Sequence, residues 1–253
     1  MKYINSCVIA FAMYSKIPMP NVEWKKENMK YVMCFFPWVG AVAGLCFFFW
    51  GMYAPMVPVG RPLYAVIFTA IPILVTGGIH MDGFLDTMDA LSSWQTKERR
   101  LEILKDSHAG AFAVIGGCMY FLLWFGLAAE LAGDGVLIVS LSFFLSRCLS
   151  GYSVTSFPCA KDSGLVAMFA VQADRKWAGR VLLVQAFAAA AIILWADLLL
   201  GAAAIVASLF VFCWYHKMSM EKFGGITGDL AGWFLQVCEL MVVAAVVVVD
   251  KIF

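Results

Sequence analysis

The length, composition and charge of the chain exclude a soluble globular domain. The chain has 253 residues, of which 63% are hydrophobic and 14% charged, with a mean hydropathy of +0.85. Soluble domains average about 45–50% apolar and about 25% charged residues, so too few polar side chains are present to cover a water-facing surface. The surplus predicts an all-α, polytopic transmembrane helix bundle that forms one domain over residues 1–253. The formal net charge of +1 gives no indication of a nucleic-acid partner.

The apolar segments, taken in chain order, predict a short N-terminal helix and about seven spans. The run from Ile4 to Tyr14 is too short to cross a bilayer, which needs about 20 apolar residues, and no cleavage pattern of a signal peptide follows it. We expect an interfacial or re-entrant helix here. The predicted spans are 31–54, 62–79, 109–132, 135–157, 179–197, 200–216 and 230–250. The stretch from 179 to 216 is nearly continuous, and we divide it at Asp197.

Basic residues are distributed unevenly over the predicted loops. With the N-terminus inside, fifteen Lys and Arg residues lie on the cytoplasmic side, and only Arg61 and Lys251 lie on the outer side. Cytoplasmic loops carry such an excess in membrane proteins. The bias therefore predicts that residues 80–108, 158–178 and 217–229 face the cytoplasm.

Three carboxylates lie in the segment TGGIHMDGFLDTMDAL, residues 76–91. With 3.6 residues per turn, Asp82, Asp86 and Asp89 share one narrow helix face, where their charges repel one another unless a cation neutralises them. Oxygen ligands favour Mg²⁺, with Mn²⁺ as an alternative, over zinc. The other interpretation is a solvated helix face, which would carry interleaved basic residues, and none occurs between His80 and Leu91.

Three residues at the start of this segment are candidates for substrate binding. Gly77 and Gly78 precede the acidic face, and glycine allows a ligand to approach the backbone closely. His80 fits a helix start, a phosphate contact or a residue that orients a metal ligand. The sequence leaves these three roles open.

A second polar cluster, KDSHAGAF, precedes the third predicted span. Asp106 or Ser107 would suit the N-cap of that helix. A helix N-terminus that carries Ser107, His108 and Gly110 would also suit a phosphate. The two interpretations are compatible, and we predict that Asp106, Ser107 and His108 contact substrate.

A third cluster, FGGITGDLAGWFLQVCEL, opens the last predicted span, and we predict that its Gly225 and Gln236 contact substrate. Asp229, Gln236 and Glu239 share a helix face. An ionisable residue inside the bilayer is costly and is functional by default, and Arg147 in the fourth predicted span is the candidate partner of Glu239. We expect both residues to line the cytoplasmic cavity, paired with each other or with substrate phosphate. A purely structural buried ion pair is the alternative.

The acidic and glycine-rich clusters all lie on the predicted cytoplasmic side. A transporter of divalent cations or anions, which is the rival function, would need polar groups distributed across the membrane. The observed distribution favours a catalytic cavity on one side that binds an anionic substrate. Phosphoryl transfer fits, because a divalent metal neutralises phosphate oxygens and a carboxylate accepts the proton of the attacking hydroxyl.

The segment GGIHMDGFLDTMDAL resembles the signature GG-x-H-x-DG-x-x-DT-x-DG-L of the adenosylcobinamide-GDP ribazoletransferases, also called cobalamin-5′-phosphate synthases. Four further segments are similar to blocks of that family in the same order. They are FAMYSKIPMP (11–20), FFPWVGAVAG (35–44), LKDSHAGAFAV (104–114) and FGGITGDLAGWFLQVCEL (223–240). The resemblance covers nearly the whole chain.

The resemblance implies a bacterial inner-membrane enzyme that uses Mg²⁺. Such an enzyme transfers the cobinamide phosphoryl group from GDP-cobinamide to α-ribazole, or to its 5′-phosphate, and releases GMP. The partners would be these two small molecules and the lipid bilayer. The sequence leaves open whether the protein forms a homo-oligomer. The family motifs imply metal ligation by a set of five residues: Asp82, Asp86, Asp89, Asp229 and Glu239. By analogy with the CDP-alcohol phosphotransferases, Asp89 would also be the general base.

The chain departs from the family pattern at three places. Ala90 stands where the family has glycine, and His108 stands where it has arginine. The segment FPCAKDSGLVAMF, with Lys161, replaces a YARP-like motif, and we predict that Lys161 contacts substrate. Two other membrane families share the acidic chemistry but fit less well: CDP-alcohol phosphotransferases need an Ala-Arg pair between the acidic residues, and aspartate-rich prenyltransferases need a second aspartate-rich motif.

Overall fold

The structure is a computed structural model, which describes residues 2–106, 108–161, 164, 166, 168–169 and 173–253. Across these residues the regular structure is helical, and an isolated bridge between Cys159 and Ile226 is the one β contact. The predicted all-α bundle is confirmed. The helices of eight or more residues are α1 (Lys2–Tyr14), α3 (Val32–Tyr53), α4 (Arg61–Thr76), α5 (Ile79–Ser92), α7 (Ala111–Glu130), α8 (Gly133–Ser156), α9 (Arg175–Ala196), α10 (Leu198–Phe223) and α11 (Gly228–Ile252). The short helices are α2 (Lys26–Met29) and α6 (Lys97–Ile103).

Six helices in the described part of the chain are long and apolar enough to span a membrane. They are α3, extended by a 3₁₀ turn to Met56, and α7, α8, α9, α10 and α11. These six match six of the seven predicted spans. The predicted division at Asp197 is also confirmed, because its carboxylate accepts a hydrogen bond from the backbone N–H of Leu200 at 2.7 Å and caps α10.

The predicted span 62–79 is broken in the structure. Helix α4 ends at Thr76, and α5 continues at an angle of 98° to it. Gly77 and Gly78 have φ angles of +67° and +81°, a left-handed conformation that glycine adopts without a steric penalty. Two such residues in succession end one helix and redirect the next. Counted as one bent span, α4 and α5 raise the number of spans to seven.

The N-terminal helix α1 has 13 residues, which is too short to span, as predicted. It packs on α3, and Ser6 donates a hydrogen bond to the carbonyl of Asn28 at 2.6 Å. Beyond its end, the backbone N–H of Lys16 donates to the carbonyl of Val75 at 2.9 Å. Helix α1 is therefore fixed between α3 and the end of α4, and its interfacial or re-entrant position stays a prediction.

Helix α8 lies at the centre of the bundle and packs on α3, α9 and α11. Gly40 and Gly44 of α3 face it, and a methyl group at either position would overlap a backbone carbonyl of α8. Small residues four apart allow this close helix approach in membrane proteins. The close approach leaves Arg147 of α8 with 0% side-chain exposure.

Loops predicted to be cytoplasmic meet at one end of the bundle. The side chain of Lys97 in α6 donates to the carbonyl of Met220 near the end of α10, at 3.4 Å. The backbone of Ile226, before α11, donates to the carbonyl of Pro158, after α8, at 2.9 Å. We call this the acidic end, because the segment 82–89 and Asp229 also lie there.

Loops predicted to be outside meet at the opposite end. The hydroxyl of Tyr64 donates to the carbonyl of Leu131 at 3.1 Å, and Lys251 forms an ion pair with Glu130 at 2.9 Å. The two groups of loops are thus separated as the charge distribution requires. The side of the membrane that each end faces stays a prediction.

Candidate active site

A cavity of about 250 Å³ lies at the acidic end, with walls from α1, α3, α5, α8 and α11. Asp82 and Asp229 line it, together with His80 and an aromatic wall. A larger cavity of about 600 Å³ lies between α3, α8 and α9, but none of its described lining residues is charged. Of these two cavities, the smaller one has the charge that phosphoryl chemistry requires.

The structure brings the carboxylates of α5 next to Asp229 of α11. A methyl group at Gly83 would lie 2.8 Å from the Cα of Asp229, so glycine at this position lets the two backbones approach. The negative charges of Asp82, Asp229 and Asp89 all act on half-buried Asp86. Asp82, Asp86 and Asp229, from the first and third sequence clusters, thus form one acidic group, and Asp82 and Asp229 line the cavity.

Asp89 has a different environment from Asp82 and Asp86. Its two carboxylate oxygens accept hydrogen bonds from the backbone N–H groups of Gly110, at 2.5 Å, and Ala113, at 2.8 Å. A carboxylate in this position satisfies donors at the start of a helix and interacts favourably with the helix dipole. Asp89 therefore caps α7 and attaches the loop before α7 to α5. Its predicted roles as metal ligand and base stay predictions.

The interpretation of Asp106 as the cap of the third span is wrong, because Asp89 takes that place. Asp106 instead accepts hydrogen bonds from the backbone N–H of His108 at 3.0 Å and from its Nδ1 at 2.7 Å. These bonds lower the pKa of the Asp106 carboxyl group. Both side chains are exposed, and neither lines the cavity, so their substrate contacts stay predictions. Ser107 lies outside the described residues.

Lys161 brings a positive charge close to the acidic group. It acts on Asp86 and Asp229 and lines a cavity of about 120 Å³ with Thr227 and Gly228, at the N-terminus of α11. Burial lowers the pKa of Lys161, and the negative charges of Asp229 and Asp86 oppose this effect. A lysine beside a helix N-terminus suits a phosphate group.

The three glycines predicted to contact substrate have packing roles. Gly77 and Gly78 form the break between α4 and α5, and a side chain at Gly77 would overlap Lys16. A methyl group at Gly225 would lie 2.7 Å from the backbone nitrogen of Ala160, so this glycine lets the two loops pair. Substrate contacts of the three glycines stay predictions.

Arg147 and Glu239 form the expected buried ion pair, in which Nη1 of Arg147 donates to Oε1 of Glu239. The expectation that the pair lines the cytoplasmic cavity is wrong. Glu239 is ten residues after Asp229 on α11, which is about 15 Å along the axis, so one metal ion cannot bind both. Gln236 is also buried, and it accepts a hydrogen bond from Tyr120 at 2.5 Å. These residues form a polar layer below the cavity.

The donor set at the cavity fits a hard divalent cation. Asp82, Asp86 and Asp229 offer only oxygen, which Mg²⁺ and Mn²⁺ prefer. Within the described residues, no three His, Cys, Asp or Glu side chains are arranged closely enough to hold a metal by themselves. Mg²⁺ commonly binds through one or two carboxylates, with water and substrate phosphate as the other ligands.

Sequence patterns did not identify the aromatic wall of the cavity. The ring of His80 is nearly parallel to that of Tyr14, with centroids 6.3 Å apart, and meets the edge of Phe36 at 5.8 Å. Phe169 completes the wall. Tyr14 and Phe36 lie in two segments, 11–20 and 35–44, whose only signal was their similarity to family blocks.

Comparison with known proteins identifies the family of the chain as a whole. The family model for cobalamin-5-phosphate synthase matches residues 6–247. The chain is 45% identical to an adenosylcobinamide-GDP ribazoletransferase of Lachnoclostridium phytofermentans, over 100% of this chain and 97% of that protein. It is 35% identical to one of Desulfitobacterium hafniense, over 92% of each chain. No solved structure gives a significant match. The extent of the family match and of these identities shows that the chain belongs to the cobalamin-5-phosphate synthase family.

Proposed function

We propose that this protein is an adenosylcobinamide-GDP ribazoletransferase. It transfers the cobinamide phosphoryl group of adenosylcobinamide-GDP to a hydroxyl of α-ribazole, or of α-ribazole 5′-phosphate, and releases GMP. This is a late step of cobalamin biosynthesis. The family match and the names of the relatives support the activity. The observation that carries the proposal is the acidic group of Asp82, Asp86 and Asp229, of which Asp82 and Asp229 line the 250 Å³ cavity, with the charge of Lys161 close to it.

The acidic group and Lys161 have complementary parts in this reaction. Asp82 and Asp229, which line the cavity, would hold Mg²⁺, or Mn²⁺ in its place, together with substrate phosphate and water. The bound cation would neutralise charge on the diphosphate oxygens and on the departing GMP. Lys161 and the N-terminus of α11 would contact a phosphate group.

One carboxylate must accept the proton of the attacking hydroxyl. Asp89 is the candidate by analogy with the CDP-alcohol enzymes, but both of its oxygens accept backbone hydrogen bonds. We therefore assign this role to Asp86, which lies one turn earlier on the same face of α5. Asp89 then holds the start of α7 in place.

The rival function, a transporter of divalent cations or anions, fits the structure less well. A transport path needs polar groups exposed along the membrane interior. The charged residues there, Arg147 and Glu239, are 0% and 4% exposed and bind each other. The family to which this chain belongs is also one of synthases.

A turnover assay tests the proposed function. Purified protein should release GMP from adenosylcobinamide-GDP only when both α-ribazole and Mg²⁺ are present. A chelator should stop the reaction, and added Mg²⁺ should restore it. Cation flux into protein-containing liposomes without any release of GMP would support the transporter instead.

The acidic end should face the cytoplasm of the cell that makes the protein, at its inner membrane. Fifteen of the basic residues would then lie inside, as the positive-inside rule requires. GDP-linked substrates are also found in the cytoplasm.

Cysteine labelling tests this orientation. In a background without the eight native cysteines, a membrane-impermeant maleimide added outside should label a cysteine at position 60 and miss cysteines at positions 97 and 222. All three positions are exposed in the structure. Permeabilised cells provide the control, because all three positions should then react. Labelling of position 97 in intact cells would place the acidic end outside.

A further inference from the structure

We infer that the aromatic part of the 250 Å³ cavity binds the base of the acceptor nucleoside, and that His80 donates a hydrogen bond to it. We call this part the aromatic pocket, and its residues are Tyr14, Phe36, His80 and Phe169. The inference rests on the proposed function and assigns one of its two substrates to a place in the fold.

His80 is the first observation. It is 5% exposed, and neither of its ring nitrogens has a hydrogen-bond partner in the described part of the chain. Buried polar groups in native proteins nearly always have a partner, and an unsatisfied one is destabilising. The ring lines the cavity, so a molecule bound there can supply the missing partner.

The walls around His80 determine what kind of molecule fits. Tyr14, Phe36 and Phe169 present flat rings, and aromatic rings pack favourably in offset or edge-to-face arrangements. Met33 and Leu235 add further apolar surface. The pocket therefore suits a flat, largely apolar aromatic base that has one polar atom on its edge.

The two substrates differ in this property. Guanine, on the nucleotide side, carries several donors and acceptors on its edge, and most of them would be left unpaired against these walls. The base of α-ribazole is an apolar benzimidazole with one unprotonated ring nitrogen. That nitrogen is an acceptor, and a neutral histidine has one N–H to donate. The chemistry of the pocket therefore favours the base of the acceptor nucleoside over guanine.

The position of the pocket is consistent with the transfer. Asp82 and Asp229 line the same cavity as His80, so a base in the aromatic pocket directs its ribose towards the carboxylates. A volume of about 250 Å³ suits part of a nucleoside and is far too small for a corrinoid. The corrinoid would therefore stay at the mouth of the cavity.

Two substitutions in the pocket test the inference. His80→Phe keeps the ring and removes both nitrogens, and we expect the Kd and the KM for α-ribazole to rise roughly 5- to 100-fold, the effect of losing one buried hydrogen bond. Val154→Trp fills the cavity from α8 and should raise the same constants. The KM for adenosylcobinamide-GDP should stay within about twofold for His80→Phe. Equilibrium dialysis with labelled α-ribazole measures the Kd without turnover.

A matched control fills the other cavity. Leu141→Trp projects into the 600 Å³ cavity between α3, α8 and α9 and should leave both KM values unchanged. Thermal unfolding in detergent shows which variants fold, and Ser150→Val, at a smaller lining residue, replaces Val154→Trp if that variant does not.

The outcomes separate the inference from the proposed function. If the wild-type protein releases no GMP, the proposed function is wrong. If the wild type is active but folded pocket variants bind α-ribazole normally, the inference is wrong and the function stands. A raised KM for adenosylcobinamide-GDP with an unchanged Kd for α-ribazole would likewise overturn it, because the pocket would then hold the nucleotide.

Discussion

Asp82→Asn and Asp86→Asn should each lower the kcat for GMP release by about 10²–10⁴-fold, the range for loss of a group that takes part in proton transfer. Removal of a metal ligand should have an effect of similar size. Both changes keep the side-chain volume and relieve repulsion within the acidic group, so folding and membrane insertion should be unaffected. Steady-state assays over a range of Mg²⁺ concentrations measure the loss. Near-wild-type turnover at saturating Mg²⁺ in either variant would remove that residue from the catalytic group.

Asp89→Asn is the matched comparison on the same helix face. The amide replaces one acceptor oxygen by an NH₂ group that faces the backbone N–H of Gly110 or Ala113. Loss of a helix cap costs about 0.5–2 kcal/mol, so the melting temperature should fall together with the activity. An inactive Asp89→Asn variant with a wild-type melting temperature would instead support the ligand or base role that the sequence predicts.

Arg147→Met should destabilise the protein by about 3–5 kcal/mol, because it leaves Glu239 buried without its partner. Arg147→Met/Glu239→Gln should restore most of that stability with the activity kept, since it removes both charges. Thermal unfolding in detergent measures both variants. Glu130→Gln breaks the exposed ion pair with Lys251, which should change the melting temperature little, and it serves as the control.

Two results would contradict the structural role of this pair. A normal melting temperature for Arg147→Met would show that the pair does not stabilise the bundle. If that variant raises the KM for adenosylcobinamide-GDP and the second substitution does not rescue it, Arg147 binds the diphosphate, as the sequence alone allows.

The sequence by itself determined the membrane class, six of the spans and the division at Asp197. These features follow from the hydropathy of single segments, because the summed hydropathy of about 20 residues decides whether a helix crosses the bilayer. It also determined that Asp82 and Asp86 share a helix face, since the period of a helix is fixed. The pairing of Arg147 with Glu239 was predictable for a related reason. Each is a charge in the middle of an apolar segment and needs a partner of opposite sign.

Only the tertiary structure decided what those residues contact. Asp89 lies on the predicted acidic face, yet it caps a helix that begins 22 residues later at Ala111, whereas the local pattern offered Asp106 or Ser107 for that cap. Tyr14 and Phe36 reach His80 only because α1 packs on α3 and two left-handed glycines redirect α5. Such contacts depend on how distant segments fold back on one another. Periodicity and hydropathy describe one segment at a time, so they cannot specify them.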